Sequence, residues 1–262
     1  MVVEEALEVV EAALVVVDGN IYYYTYMSIF DFLFGSKIST TSFDSLRKKI
    51  IDLRKSNIYP FNDNLAESIS FPNDFWDDLI KIFKKTDKDG LERAFSIFWA
   101  DGEIVFSEVK TGSDRMVTSG GSIQVKYSHH PTRQGYARKE VILNDSVLKR
   151  KDVFYEKVPK SLDVQYLFNI HTHPKHTTDD GKVYYNFFSA QDIKSLISSK
   201  AVITALITDK LWLLIRTKST PSDVSNLLDS QVTPEYVQNT LHMGLYKANF
   251  NNKAYRYDLI EK

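Results

Sequence analysis

The chain has no cysteine among its 262 residues. This absence excludes disulfide bonds, thiolate nucleophiles and zinc sites with cysteine ligands. A chain without cysteine is compatible with a reducing compartment, and the cytoplasm is the location that we predict.

An excess of charge of one sign is also missing, because 33 Lys and Arg residues balance 34 Asp and Glu residues to a net charge of −1. Binding to nucleic acid or to a membrane surface would favour a concentrated basic patch, so the composition indicates neither partner. No apolar run reaches the roughly 18–20 residues of a membrane span. The apolar N-terminus contains Glu4, Glu5, Glu8 and Glu11 but no basic residue, and we expect no secretory signal there.

The spacing of apolar residues predicts both helices and strands. Helical spacing occurs over 2–17, 43–55, 73–85, 189–199, 221–231 and 234–248. Strands are predicted over 94–99, 103–109, 122–127, 139–143, 164–170, 202–208 and 210–217, and the aromatic segment 21–34 fits a strand that passes into a short helix. The region 56–72, with two prolines, is predicted as a loop. The order of the elements predicts an α/β fold with a mainly antiparallel sheet flanked by helices, because the regular strand–helix alternation of a doubly wound fold is missing.

Two histidines end the strand predicted over 164–170, in the sequence His171-Thr172-His173-Pro174. Residues i and i+2 of an extended segment project to the same side, so both imidazoles can reach one metal ion. Pro174 restricts His173 to extended conformations. Asp192 follows in the first turn of a helix whose predicted N-cap is Ser189. His171, His173 and Asp192 therefore form a candidate set of three ligands, which leaves a fourth tetrahedral position open, as in catalytic zinc sites.

The segments His-x-His-Pro and Ser-x-x-Asp, followed by a strand pair, resemble the JAMM (MPN+) zinc metalloproteases, also called JAB domains, over residues 73–217. The resemblance implies an MPN-like, cytidine-deaminase-like fold and one zinc ion per chain. It also implies that Glu92 is the general base and that Ser189 stabilises the oxyanion. The implied reaction is hydrolysis of an amide bond in a protein or peptide, such as the isopeptide bond of a ubiquitin-like conjugate or a bond in a protein precursor.

The residues leave several points open around this resemblance. Glu103 and Glu108 compete with Glu92 for the role of base. The interval between His173 and Ser189 is longer than is usual in the family, and its Tyr184, Tyr185 and Phe187 either grip an extended peptide or belong to a surface insertion. His176, Asp179 and Asp180 of the same interval could bind a second metal, although a solvated polar loop is the simpler interpretation. His129 and His130 are adjacent and would face opposite sides of a strand.

Other functions compete with a JAMM-type hydrolase. Amidohydrolase and PHP-type barrels place His-x-His on their first strand, but only 89 residues follow His173 here. A RadC-like protein associated with DNA and a non-catalytic MPN-like scaffold are the two remaining alternatives. Residues 1–72 are predicted as an N-terminal helical and aromatic extension or small accessory domain, and residues 218–262 as a C-terminal helical extension.

Overall fold

The structure is a computed structural model that describes residues 14–17, 20–23, 40–56, 58–100, 103–118, 124–143, 146–150, 156–157, 164–199, 201–250 and 253–260. Most of the helix predicted over 2–17 and of the aromatic segment 21–34 lies outside these residues. The helix is wrong at its end, because β1 (Leu14–Val17) pairs antiparallel with β2 (Asn20–Tyr23). The β-branched residues Val15, Val16 and Val17 favour a strand over a helix.

The remaining strands fall into three further sheets. They are β3 (Thr41–Ser42), β4 (Ser68–Ser70), β5 (Arg93–Ala100), β6 (Glu103–Phe106), β7 (Lys110–Thr111), β8 (Gln124–His129), β9 (Tyr136–Leu143), β10 (Ser146–Arg150) and β11 (Glu156–Lys157). After these come β12 (Val164–Thr172), β13 (Lys175–Thr177), β14 (Val183–Tyr185), β15 (Ile203–Ile207), β16 (Leu211–Ile215), β17 (Gly244–Ala248) and β18 (Ala254–Arg256).

The largest sheet has the order β3-β4-β18-β17-β16-β15-β12-β5-β6, with β7 also paired to β5. Only β12–β15 and β3–β4 pair in parallel among its described strands. The predicted α/β class with a mainly antiparallel sheet flanked by helices is therefore confirmed. Strands β8 to β11 form a separate four-stranded sheet, and β13 and β14 form a two-stranded hairpin.

Helices cover both faces of the largest sheet. The helices are α1 (Phe43–Ser56), α2 (Asn73–Asp89), α3 (Ala190–Ser198), α4 (Pro234–Asn239) and α5 (Tyr257–Ile260). Side chains alternate along β15, so Ala205 and Ile207 join the core under α1 and α2, whereas Leu206 joins the core under α3 and α4. This arrangement places α3 as the crossover between the parallel strands β12 and β15.

Three further predicted segments differ from the structure. The predicted loop 56–72 contains β4, and the second half of the helix predicted over 234–248 is β17. Four of the five residues of β17 are buried, so the alternation that marks a strand is not visible in the sequence. Within 221–231 the only helical element is the short 3₁₀ turn Asp229–Gln231. The predicted C-terminal extension thus supplies two strands to the main sheet and is not helical throughout.

No helix among the described residues combines the length and the apolar composition needed to cross a membrane.

A buried polar network joins α2, β5 and β12 next to the two histidines. Thr172 Oγ1 accepts a hydrogen bond from the backbone N–H of Arg93 at 2.8 Å and shares another with Thr86 Oγ1 at 2.7 Å. The Arg93 guanidinium donates to Thr86 and forms an ion pair with Asp89 at 2.5 Å. Thr86 and Thr172 are both fully buried, so these bonds fix the end of β12 against the start of β5.

We expect Thr172→Val to lower the free energy of unfolding of the metal-free protein by about 1–3 kcal/mol, because it leaves buried partners without a hydrogen bond. Thr111→Val, at an exposed position of β7, is the matched control and should change stability by less than about 0.5 kcal/mol. Urea unfolding in the presence of a chelator measures the free energy of unfolding of both variants. Equal effects of the two substitutions would contradict the role of the network.

Candidate metal centre

The end of β12 brings the two histidines to one side of the sheet. His171 is paired with Leu206 of β15 and with Ala94 of β5, so its backbone is held from both sides. The chain remains extended beyond the last strand residue, because the backbone N–H of His173 donates to the Ile207 carbonyl at 3.0 Å. The prediction that both imidazoles lie together is confirmed by a distance of 4.9 Å between the ring centroids.

The first turn of α3 contributes the carboxylate. Ser189 is the N-cap, as predicted, and its hydroxyl accepts a hydrogen bond from the Asp192 backbone N–H at 3.2 Å. Asp192 Oδ2 in turn accepts from the Ser189 backbone N–H at 2.7 Å and from the Ser189 hydroxyl at 2.8 Å. This reciprocal capping box starts the helix and fixes the rotamer of Asp192. Its other oxygen, Oδ1, faces the histidines.

His171, His173 and Asp192 form a group that could hold a metal ion, with ligand atoms all within 4.8 Å of one another. His171 Nε2 lies 3.4 Å from Asp192 Oδ1, close to the roughly 3.3 Å that separates two ligands of a tetrahedral ion at 2.0–2.1 Å. His171 Nε2 is also buried without a hydrogen-bond partner among the described residues. A buried nitrogen of this kind is costly unless something binds it, and a metal ion would do so.

Backbone groups lie next to both imidazole rings. His173 Nδ1 lies 3.0 Å from the Asn186 carbonyl oxygen, which places the proton on Nδ1 and leaves the lone pair on Nε2. The backbone of Ala205 lies next to the His171 ring and contributes to the raised pKa of that group. Contacts of this type fix the tautomer and direction of metal-binding histidines. The sequence does not reveal that Asn186 and Ala205 are these partners, because every residue type has a backbone carbonyl.

Burial and the neighbouring charges shift the pKa of each of the three groups. Burial, followed by the neighbouring His171, lowers the pKa of His173 to about 4, so its ring is neutral at pH 7. Burial alone would lower the pKa of His171, but the adjacent Asp192 carboxylate outweighs it and the net direction is upward. Burial would raise the pKa of Asp192, yet His171 lowers it well below its usual range. An anionic oxygen and two imidazole nitrogens are donors that zinc prefers.

Glu92, the base that the resemblance implies, lies beside this group. Its Oε1 is 3.7 Å from His173 Nε2, and its backbone is held by Gly112 and Ser113 at 2.9 and 2.7 Å. Burial, reinforced by the nearby Asp192, outweighs the effect of His171 and raises the pKa of Glu92 to about 7. A carboxyl group with this pKa can both accept and return a proton near neutral pH.

The two competing glutamates are far less well placed. Glu103 is paired with Ala100, at the opposite end of β5 from Glu92. Glu108 does not line the cavity at the metal ligands. Of these three residues, Glu92 is the one that the structure brings to His173.

The contacts of Ser189 differ from those that its predicted role, stabilising an oxyanion, requires. Its hydroxyl already donates to Asp192 Oδ2, so in this arrangement the residue positions a metal ligand. Stabilising an oxyanion would require the hydroxyl to turn towards the substrate, which would leave the backbone N–H of Ser189 as the remaining donor to Oδ2.

The long interval after His173 is a β-hairpin, formed by β13 and β14, and not an irregular loop. Its base is fixed to α2 by Asp87, whose Oδ1 accepts from the Tyr185 hydroxyl at 3.1 Å and whose Oδ2 accepts from Lys175 Nζ at 3.3 Å. Since Lys175 and Tyr185 are a cross-strand pair, one carboxylate holds both strands. Tyr185 is thus directed to α2 rather than to a substrate.

Tyr184 and Phe187, the other two predicted substrate contacts, line the cavity that contains the candidate metal ligands. The volume of this cavity is about 1110 Å³. Tyr184 is 46% exposed and stacks on His176. Phe187 packs against Phe188 and Trp212 at centroid distances of 5.1 and 5.2 Å. Tyr184 is therefore less constrained by packing than Phe187.

The described residues contain no second group of three metal-binding side chains. His176, Asp179 and Asp180 therefore give no second site, and the exposed His129 lies on β8. His176 Nε2 accepts a hydrogen bond from Asn186 Nδ2 at 3.1 Å.

The chain matches no protein-family model, no curated protein and no solved structure.

We expect the purified protein to bind one zinc ion per chain and Asp192→Ala to lose it, because only two ligands remain. The loss of affinity should exceed the roughly 10–100-fold that removal of an outer-shell partner causes. His176→Ala, outside the ligand group, should retain the ion. Mass spectrometry of bound metal after dialysis measures all three proteins, and zinc that Asp192→Ala retains would contradict the site.

We also expect Asp87→Ala to loosen the hairpin and, through the Asn186 carbonyl, to weaken zinc binding by less than the roughly 10–100-fold of a direct outer-shell partner. Hydrogen exchange over 175–186 should become faster at the same time. Asp179→Ala, at the exposed tip of the hairpin, is the control and should change neither quantity. Faster exchange with unchanged zinc affinity would show that the hairpin does not support His173.

Proposed function

We propose that this protein is a zinc-dependent metallopeptidase or isopeptidase of JAMM type that hydrolyses an amide bond. The observation that supports it most is the position of Glu92, a buried carboxyl group 3.7 Å from one of three convergent metal-binding side chains. A structural zinc site has four protein ligands and needs no adjacent base.

His171, His173 and Asp192 would hold the zinc ion. The residues fit this ion because they combine two imidazole nitrogens with one carboxylate oxygen, and because the buried His171 Nε2 makes no hydrogen bond to the described residues. A bound zinc ion supplies Lewis acidity and lowers the pKa of a water molecule to about 7.

Glu92 would act as the general base and then the general acid. Its pKa of about 7 lies near the operating pH, which is where a single group accepts and returns a proton most effectively. In this role it takes a proton from the attacking water and delivers it to the nitrogen of the leaving amine. Ser189 would position Asp192 and, after its hydroxyl turns, donate to the oxyanion.

The cavity favours a protein or peptide substrate over a small amide. Its volume of about 1110 Å³ is above the roughly 300–1,000 Å³ of small-molecule sites. It extends from the hairpin at Tyr184 past the metal ligands to Ser199 at the end of α3. The substrate classes that we propose are a ubiquitin-like conjugate and a protein precursor, and the proposed location is the cytoplasm.

The other functions have less support. A non-catalytic scaffold of MPN type does not require three metal-binding side chains with a carboxyl group beside them. A RadC-like role with DNA lacks a basic excess, because the net charge is −1.

We expect Glu92→Gln to bind zinc normally but to lower the rate of hydrolysis by about 10²–10⁴-fold, because the amide side chain cannot accept the proton. The assay uses the zinc-loaded protein with a panel of ubiquitin-like conjugates and unfolded protein precursors, and mass spectrometry identifies the new termini.

Glu108→Gln is the matched control and should retain full activity. Hydrolysis that survives Glu92→Gln would remove Glu92 from the mechanism. The absence of cleavage by the wild-type protein with both substrate classes would contradict the proposed function.

A further inference from the structure

Three polar, uncharged residues lie side by side on the sheet at the floor of the cavity, level with the residue two positions before His171. Asn169 of β12 is directly paired with Ser96 of β5 and with Thr204 of β15. Paired residues project to the same face, and Asn169 lies two positions before His171, so this row faces the cavity like the histidine does. Asn169 and Thr204 line the cavity.

Ser96 fixes the direction of the Asn169 amide. The buried Ser96 hydroxyl donates to Asn169 Oδ1 at 2.7 Å, so the Nδ2 group must point away from Ser96. No described residue accepts a hydrogen bond from Asn169 Nδ2. Asn169 therefore presents a pre-oriented N–H donor, about 6.6 Å along the strand from His171.

The strand register distinguishes the two directions along this cavity. Ala94 pairs with His171, so Glu92, two residues before Ala94, lies level with His173 on one side of His171, and Asn169 lies two residues from His171 on the other side. In the proposed reaction Glu92 delivers a proton to the leaving amine. The acyl part of the substrate must then run in the opposite direction, over Asn169.

The shape and charge of this arm fit an extended main chain. The arm is bounded by α3, whose nine residues span about 13 Å, which is the length of roughly four extended residues. The polar residues that line it beyond the first turn of α3 carry no charge; they are Tyr166, Asn169, Ser195, Ser198, Ser199 and Thr204. The charged lining residues lie elsewhere: Asp229 accepts a hydrogen bond from the Ala190 N–H at the start of α3, and Asp114 and Arg115 follow Ser113, which is bonded to Glu92.

We infer that Asn169 is a substrate-binding residue whose Nδ2 donates a hydrogen bond to a main-chain carbonyl on the acyl side of the scissile amide, one or two residues from it, and that Ser96 positions it. This inference rests on the proposed function. It assigns the uncharged arm to the acyl segment of a peptide and the Glu92 side to the leaving amine.

The test compares two hydroxamates that bind zinc, using the zinc-loaded full chain and calorimetry. Acetohydroxamate reaches the metal alone, whereas N-acetyl-glycyl-glycine hydroxamate adds carbonyls one and two residues away on the acyl side. The peptide hydroxamate should bind the wild-type protein about five- to tenfold more tightly, the value of one neutral hydrogen bond. Asn169→Ala should lose this gain and keep its affinity for acetohydroxamate within about twofold.

Ser96→Ala should lose about half of the gain in affinity for the peptide hydroxamate, on a logarithmic scale, because the Asn169 amide remains but turns freely. This variant also serves as the test if Asn169→Ala does not fold. Asn239→Ala, at the exposed end of α4, should bind both probes as the wild type does. If the wild-type protein binds neither zinc nor acetohydroxamate, the proposed function fails. If acetohydroxamate binds but the peptide probe gains nothing, or the gain survives both Asn169→Ala and Ser96→Ala, the inference on Asn169 is overturned while the metal site stands.

Discussion

The hydrogen bond from the Arg93 backbone to the buried Thr172 hydroxyl is the contact on which both the fold and the site depend. It joins the first residue of β5 to the last residue of β12, and through Thr86 it includes α2. Glu92 is the neighbour of Arg93, and the two histidines flank Thr172. A displacement at this contact would therefore move Glu92 and the two histidines relative to one another. The fully buried position of Thr172 makes such a displacement costly.

The capping box of α3 combines a structural and a chemical task in the same two residues. Ser189 and Asp192 satisfy two of the free N–H groups at the start of the helix, their own, and a helix needs such caps wherever it begins. The same bonds leave Asp192 Oδ1 directed at His171. Local sequence is sufficient to detect this arrangement, because the cap and the carboxylate are three residues apart. For that reason the ligands and the start of α3 could be predicted from the sequence.

Other parts of the structure depend on contacts that the sequence does not display. β17 is buried on both faces and was predicted as helix, and β4 is too short to give a pattern. The prediction of Glu92 came from a resemblance, and its distance from His173 depends on the antiparallel register of β5 and β12, which periodicity does not determine. Tyr185 was predicted as a substrate contact because it is aromatic and near the site. Its hydroxyl binds Asp87, a residue 98 positions away in the chain.

Asn186, the residue that follows β14, contacts His173 through its main chain. The group that orients His173 is the carbonyl of Asn186, and every amino acid at this position would provide it. Substitutions at His176 or Tyr184, the hairpin residues that line the cavity, can therefore change what the cavity admits while the position of His173 is preserved. The architecture separates the part of the protein that can vary from the part that must stay fixed, so one framework can admit different molecules through changes in a single surface element.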